Sequence, residues 1–157
     1  NERGERLSKR DGATGIRGEA EAGFPTVAAH GLPALCAALD AGCGLNRALL
    51  HALLALVAEA EDSTVLWRGG PAALARVKSG AAEIRDLGGA LGDAGLDALV
   101  ALDAACVQRN LSPGGAADLL AVTVAVYPLE NRRFPASSAP RTNPVASGPV
   151  PDPRRNK

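Results

Sequence analysis

The sequence has no methionine, and only two histidines, one tryptophan, one tyrosine and two phenylalanines among 157 residues. So few aromatics argue against an aromatic-rich β sandwich, whereas the many alanines and leucines favour thin, closely packed helices. The three cysteines, Cys36, Cys43 and Cys106, show no Cys-x-x-Cys spacing, and no pair of histidines accompanies them to complete a zinc site. An odd count in such a chain points to reduced thiols and a cytoplasmic setting. The most apolar run, Ala48 to Ala58, includes His51 and is too short for a bilayer, which takes about 20 residues. No secretory signal is read at the start. A chain that opens at Asn1 without methionine is expected to be a fragment of a longer protein.

Net charge is missing too, because 17 basic residues balance 17 acidic ones. The balance is uneven. From Asn131 onward, Arg132, Arg133, Arg141, Arg154, Arg155 and Lys157 face Asp152 alone, so that segment carries +5 and the rest −5. A body of negative sign gives no reason to expect nucleic-acid binding.

What is present divides into three regions. Residues 1–30 read as a charged, glycine-rich loop region in which Leu7, Ile16, Phe24 and Val27 are the large apolar residues. Residues 31–130 read as helical. Pro33 suits the first turn of a short helix ending near Ala41, and "GCG" breaks the chain before Leu45 to Glu61. That second helix has scarcely any polar face and is expected to be central and buried. Pro71 opens a helix bearing Leu74, Val77, Ala81 and Ile84 at helical spacing. Two more helices cover Leu96 to Gln108 and Pro113 to Tyr127, with Pro128 ending the last. Residues 131–157 are proline-rich and basic and are expected to be a disordered tail. The fold class is all-α, a multi-helix bundle.

Four places could carry chemistry. In "RNLSPGGAADLLAV" a helix starts with two glycines, each costing about 1 kcal/mol against alanine in a helix interior. Ser112 suits the cap and Pro113 the first position, so Gly114 and Gly115 fall where amides lack intrahelical acceptors. Two readings fit: an open cradle for phosphate at the positive helix end, or a tight turn on which a neighbouring helix packs. In "EDSTVLWRGGP", Asp62, Arg68, Gly69 and Gly70 stand just before a helix start. A carboxylate, a guanidinium and free amides suit a metal-bound polyphosphate; an N-cap aspartate and a solvated arginine are the plain alternative. Asp103 lies four residues after Leu99 and three before Cys106, inside an apolar stripe. A buried acid there needs a partner, a structural ion pair to Arg109 or Arg85 or a catalytic one. His51 reads as a hydrogen-bonded core histidine, and His30 as open to either role.

In order along the chain, "GIRGEAEAGFPTVAAHGLPAL", "EDSTVLWRGG" and "LDAACVQRNLSPGGAADLLAV" resemble the C-terminal half of the triphosphoribosyl-dephospho-CoA synthase family. The likeness spans about Gly12 to Glu130, and the last motif is its most specific part. Ser63, Thr64, Trp67 and Ala116 depart mildly from the family pattern, and the basic tail has no counterpart in it. The family makes the prosthetic-group precursor for the acyl carrier proteins of citrate lyase and malonate decarboxylase. The resemblance implies an all-α transferase that joins the ribose C1 of ATP to the 2′-hydroxyl of 3′-dephospho-CoA and expels adenine. An oxocarbenium-like transition state would need a nearby carboxylate, and the triphosphate would need Mg²⁺, arginine and helix N-termini.

On that resemblance Ser112, Gly114, Gly115 and Asn110 are expected at a phosphate, and Arg68, Gly69 and Gly70 at a second phosphate. Asp62 is expected as metal ligand or base, Asp103 or Asp118 as an orienting acid, and Arg17 and Glu19 as ligand-touching groups on a mobile loop. The expected partners are ATP and 3′-dephospho-CoA, with no nucleic acid and no membrane, and with a missing N-terminal half or a partner chain. The alternative is a non-catalytic helical remnant that binds nucleotide or protein.

Overall fold

The structure is a computed structural model that describes residues 15–130 and 132–134. The expected disorder of residues 131–157 therefore lies outside the described residues, apart from 132–134, and so does the opening to residue 14. Among the described residues every regular element is helical. α1 spans Ile16–Glu21, a π turn Val27–Gly31, α2 Leu32–Asp40 and α3 Leu45–Glu59. α4 spans Ser63–Asp86, a 3₁₀ turn Gly89–Leu91, α5 Asp93–Gln108, α6 Gly114–Val126 and a closing 3₁₀ turn Tyr127–Glu130. No helix among these residues is long and apolar enough to cross a membrane.

α3 is the axis, as its composition predicts. It touches α2, α4, α6 and both the π turn and the Gly89–Leu91 turn. Its buried residues, Ala48, Ala52 and the run Leu54 to Ala58, leave almost no outer face. Each fully buried leucine such as Leu56 contributes about 1.5–3 kcal/mol. Small residues let the neighbours close in. A Cβ on Gly31 would lie 2.6 Å from Thr123 Oγ1 and 2.9 Å from Leu56 Cδ2, so glycine there lets the π turn touch α3 and α6 together. The Thr123 hydroxyl, fully buried at that crossing, donates to the Leu119 carbonyl at 2.8 Å.

Three expectations need correction. Part of the supposed loop region is helical, because Glu19 and Val27 are buried and tie α1 and the π turn to the bundle. Asp103 is not buried. α5 lies on α4 and the Gly89–Leu91 turn, with Gly95 and Cys106 buried and Leu102 within reach of Gly80, which leaves Val100, Asp103 and Val107 facing outward. His51 is not satisfied: its Nδ1 is buried without a hydrogen-bond partner. It sits against the left-handed Gly89, where a Cβ would fall 2.4 Å from that nitrogen.

Candidate functional site

Asp62 follows α3 after a two-residue link and caps α4. Its Oδ1 accepts the amides of Thr64 at 2.9 Å and Val65 at 3.1 Å. Its other oxygen, Oδ2, accepts the amide of Ala116 at 2.9 Å, 54 residues away in the first turn of α6. One carboxylate thus closes two helix N-termini, and it is only 5% exposed. Both positive helix ends point at the same anion, which offsets the cost of its burial.

That arrangement explains the glycines. A Cβ on Gly115 would stand 3.2 Å from Asp62 Cγ and Oδ2, and one on Gly114 would stand 3.1 Å from Thr64 Oγ1. From the other side, a Cβ on Gly69 would lie 2.7 Å from Leu111 Cδ2. Arg68 Nη1 reaches the Asn110 carbonyl at 3.4 Å, and Asn110 itself is left-handed (φ 54°). The Asp62–Gly70 and Asn110–Gly115 segments therefore interlock, each glycine making room for the opposite strand of chain. Gly70 serves differently. At φ 73° and ψ −177° it breaks α4, and Pro71 restarts the helix as its position predicted. The helical turns from Ser63 to Gly69 were not expected.

Ser112 does not cap α6. Pro113 occupies the cap with no side-chain bond, the Ser112 carbonyl accepts the Gly114 amide at 2.8 Å, and the Ser112 side chain is exposed. A buried charged carboxylate is the stronger acceptor for the Ala116 amide, so the distant Asp62 takes the role that the local hydroxyl was assigned.

Glu19 comes to the same corner from α1. It is buried rather than on a mobile loop, with Oε1 accepting the Thr26 hydroxyl at 2.6 Å and Oε2 the Thr26 amide at 3.2 Å. These bonds hold the bend in which Gly23 and Phe24 are left-handed. Gly15, Glu19, Glu61, Asp62, Ser63 and Gly115 line one narrow cleft. Its free volume is about 10 Å³, room for about one water. Through Glu61 the cleft adjoins an open groove of about 580 Å³ lined by Leu66, Pro71, Leu74, Ala75 and Lys78. Lys78 pairs with Glu61 and also donates to the Glu59 carbonyl at 3.1 Å.

Other expected residues stay apart. Arg17 is exposed and pairs with Glu21 at 3.0 Å. Asp118 is exposed on α6 and Asp103 on α5. Among the described residues no three histidines, cysteines or acids are grouped to hold a metal, and the Asp62 and Glu19 oxygens already face N–H and O–H donors. Among the described residues the side chains do not build a Mg²⁺ cage. Sequence reasoning missed Glu61 and Lys78. The acid beside Asp62 was a visible signal for the first, and nothing in the pattern marks the second.

Residues 1–134 match the family CitG, ATP:dephospho-CoA triphosphoribosyl transferase. The chain belongs to this family. A relative from Pectobacterium atrosepticum named "2-(5''-triphosphoribosyl)-3'-dephosphocoenzyme-A synthase" is 48% identical over 124 residues, 79% of this chain and 40% of that protein. Relatives from Azotobacter vinelandii and Malonomonas rubra, each named "Probable 2-(5''-triphosphoribosyl)-3'-dephosphocoenzyme-A synthase", are 46% and 40% identical. The first of these matches covers 81% of this chain and 44% of the relative, the second 83% and 42%. The chain thus spans less than half the length of these relatives. No solved structure matches it.

Proposed function

We propose that this chain contributes part of the substrate site of a triphosphoribosyl-dephospho-CoA synthase, which joins the triphosphoribosyl group of ATP to the 2′-hydroxyl of 3′-dephospho-CoA and releases adenine. The observation behind this reading is that three motifs far apart in sequence meet at one corner. Glu19, Asp62 and Gly115 share its lining, and Asp62 bonds to both helix starts. A cleft this narrow is the floor of a site. The adjoining groove falls in the range of about 300–1,000 Å³ that suits small-molecule sites.

In this proposal the apolar wall of Leu66, Pro71 and Leu74 takes the flat or aliphatic part of a substrate, and Lys78 turns from Glu61 to a phosphate. Arg68, exposed beside the left-handed Asn110, supplies a second cation. Glu61 is the carboxylate open to the groove and is positioned to take the hydroxyl proton. Asp62 acts as a positioning residue. The amides of Gly114 and Ala116 already have internal acceptors, so the Gly115 amide at the cleft wall and the dipole of α6 are what this helix start offers a phosphate. Mg²⁺ arrives on the phosphates of ATP, and the chain works in the cytoplasm.

The test replaces the matching stretch of the Pectobacterium atrosepticum synthase with this chain and follows adenine release by chromatography. Glu61→Gln, Lys78→Ala and Arg68→Ala in that chimera are each expected to slow release by about 10²-fold or more, the usual size of a lost proton-transfer or charge contact. Parental rates in all three would contradict the assignment.

A further inference from the structure

The groove beside Glu61 has a shape and a charge that choose between the two substrates. Pro71, Leu74, Ala75 and Lys78 stand at i, i+3, i+4 and i+7 along α4, so they form one helix face about 10 Å long. Leu66 closes this trough from the turns of α4 that precede the break at Gly70. The walls are apolar for most of their length, and the charge sits with Glu61 and Lys78. Each cation at that end already faces an acid. Lys78 pairs with Glu61, and Arg85, further along α4, pairs with Glu59. A triphosphate needs several cations at once, and this trough offers a single lysine. An uncharged, branched chain that ends in a phosphate suits both the walls and the lysine.

We propose that the groove holds the pantetheine arm of the acceptor, 3′-dephospho-CoA, and that ATP lies on the other side of Glu61. The inference rests on the reading above, in which Glu61 takes the proton of the 2′-hydroxyl. That hydroxyl belongs to the acceptor, so the substrate that reaches Glu61 from the groove is the acceptor and not the donor. Glu61 lines both the groove and the narrow cleft, and the two substrates meet across it. The pyrophosphate that joins the acceptor's ribose to its arm lies at Lys78. The dimethyl-bearing carbons of the arm lie on Leu66, Pro71 and Leu74. The triphosphate of the donor is left to the Gly115 wall of the cleft and to Arg68.

Ala75 faces the trough with a small, exposed side chain, so a larger residue there fills the groove without opening the core. In the chimera described above, Ala75→Leu is expected to raise the KM for 3′-dephospho-CoA about tenfold, with kcat and the KM for ATP unchanged. Pantetheine 4′-phosphate carries the arm and a phosphate but no adenosine. It is expected to compete with 3′-dephospho-CoA and not with ATP, and to inhibit Ala75→Leu about tenfold less well. A rise in the KM for ATP alone, no change in either KM, or competition against ATP would overturn the proposal. A chimera that releases no adenine would contradict the functional reading, and the groove is then judged on this chain alone. There pantetheine 4′-phosphate should shift the amide NMR signals of Leu66, Leu74 and Ala75, and inorganic tripolyphosphate should not. Absence of those shifts, or the same shifts from tripolyphosphate, would overturn the assignment of the groove.

Discussion

Two aspartates on two helices divide the molecule. Asp62 is buried with both oxygens engaged by three backbone amides, beside a cleft with room for about one water. Asp103 stands in the open between Val100 and Val107. The same residue type serves as a lock in one place and as an unanswered contact in the other. The difference comes from the elements that meet it: two helix starts converge on Asp62, and none among the described residues converges on Asp103. A carboxylate therefore stabilises this fold in proportion to the donors aimed at it, and its own burial is a consequence of them.

The largest effect is expected at the lock. Asp62→Ala leaves the amides of Thr64, Val65 and Ala116 without their acceptor and is expected to cost about 3 kcal/mol in urea unfolding. Asp62→Asn can cap one helix but offers an N–H to the other, and should cost about 1–2 kcal/mol. Next comes Gly115→Ala. Helix propensity alone favours alanine by about 1 kcal/mol, yet the added Cβ presses on the Asp62 carboxylate. A net loss of about 1 kcal/mol is expected, and the loss should shrink when Asp62 is already alanine. A stabilised Gly115→Ala variant would mean that the Asp62 corner is not tightly packed.

A smaller effect is expected at His51. Burial of the ring, and then the Arg85 charge, hold its pKa below the ordinary value. The unfolded chain thus binds the proton more readily than the native one, so stability is whole above about pH 6.5 and falls as pH drops below that value. Unfolding midpoints at pH 7 and pH 5 should differ for the wild type by more than for His51→Gln. An equal shift in both would remove the histidine from the account. The smallest effect belongs to the open face. Asp103→Asn and Val100→Ala in this chain alone should change stability by no more than about 0.5 kcal/mol. A large loss from either would mean that the α5 face is already covered within the chain.

Much of this architecture could be read from residue order. The helical class, the buried α3 and the helix restart at Pro71 follow from composition, periodicity and proline chemistry, which act locally. The motifs that meet at the corner were also visible as a family likeness. Ser112 misled because a cap can come from another part of the chain, and local spacing cannot register an acceptor 54 residues away. Asp103 misled for a related reason. Helical period says which residues share a stripe, but only tertiary packing says whether that stripe has a neighbour. At the Gly114–Gly115 pair the neighbour that packs close is the Asp62 turn, in place of a helix flank.

A single carboxylate ties the start of α4 to the start of α6, and amide hydrogen exchange at Ala116 reads that tie. In Asp62→Ala, under conditions where the chain stays folded, the Ala116 amide should lose protection together with those of Thr64 and Val65. Protection at Ala116 that survives while Thr64 and Val65 open would show that the two helix starts are held separately, and the corner as described here would not exist.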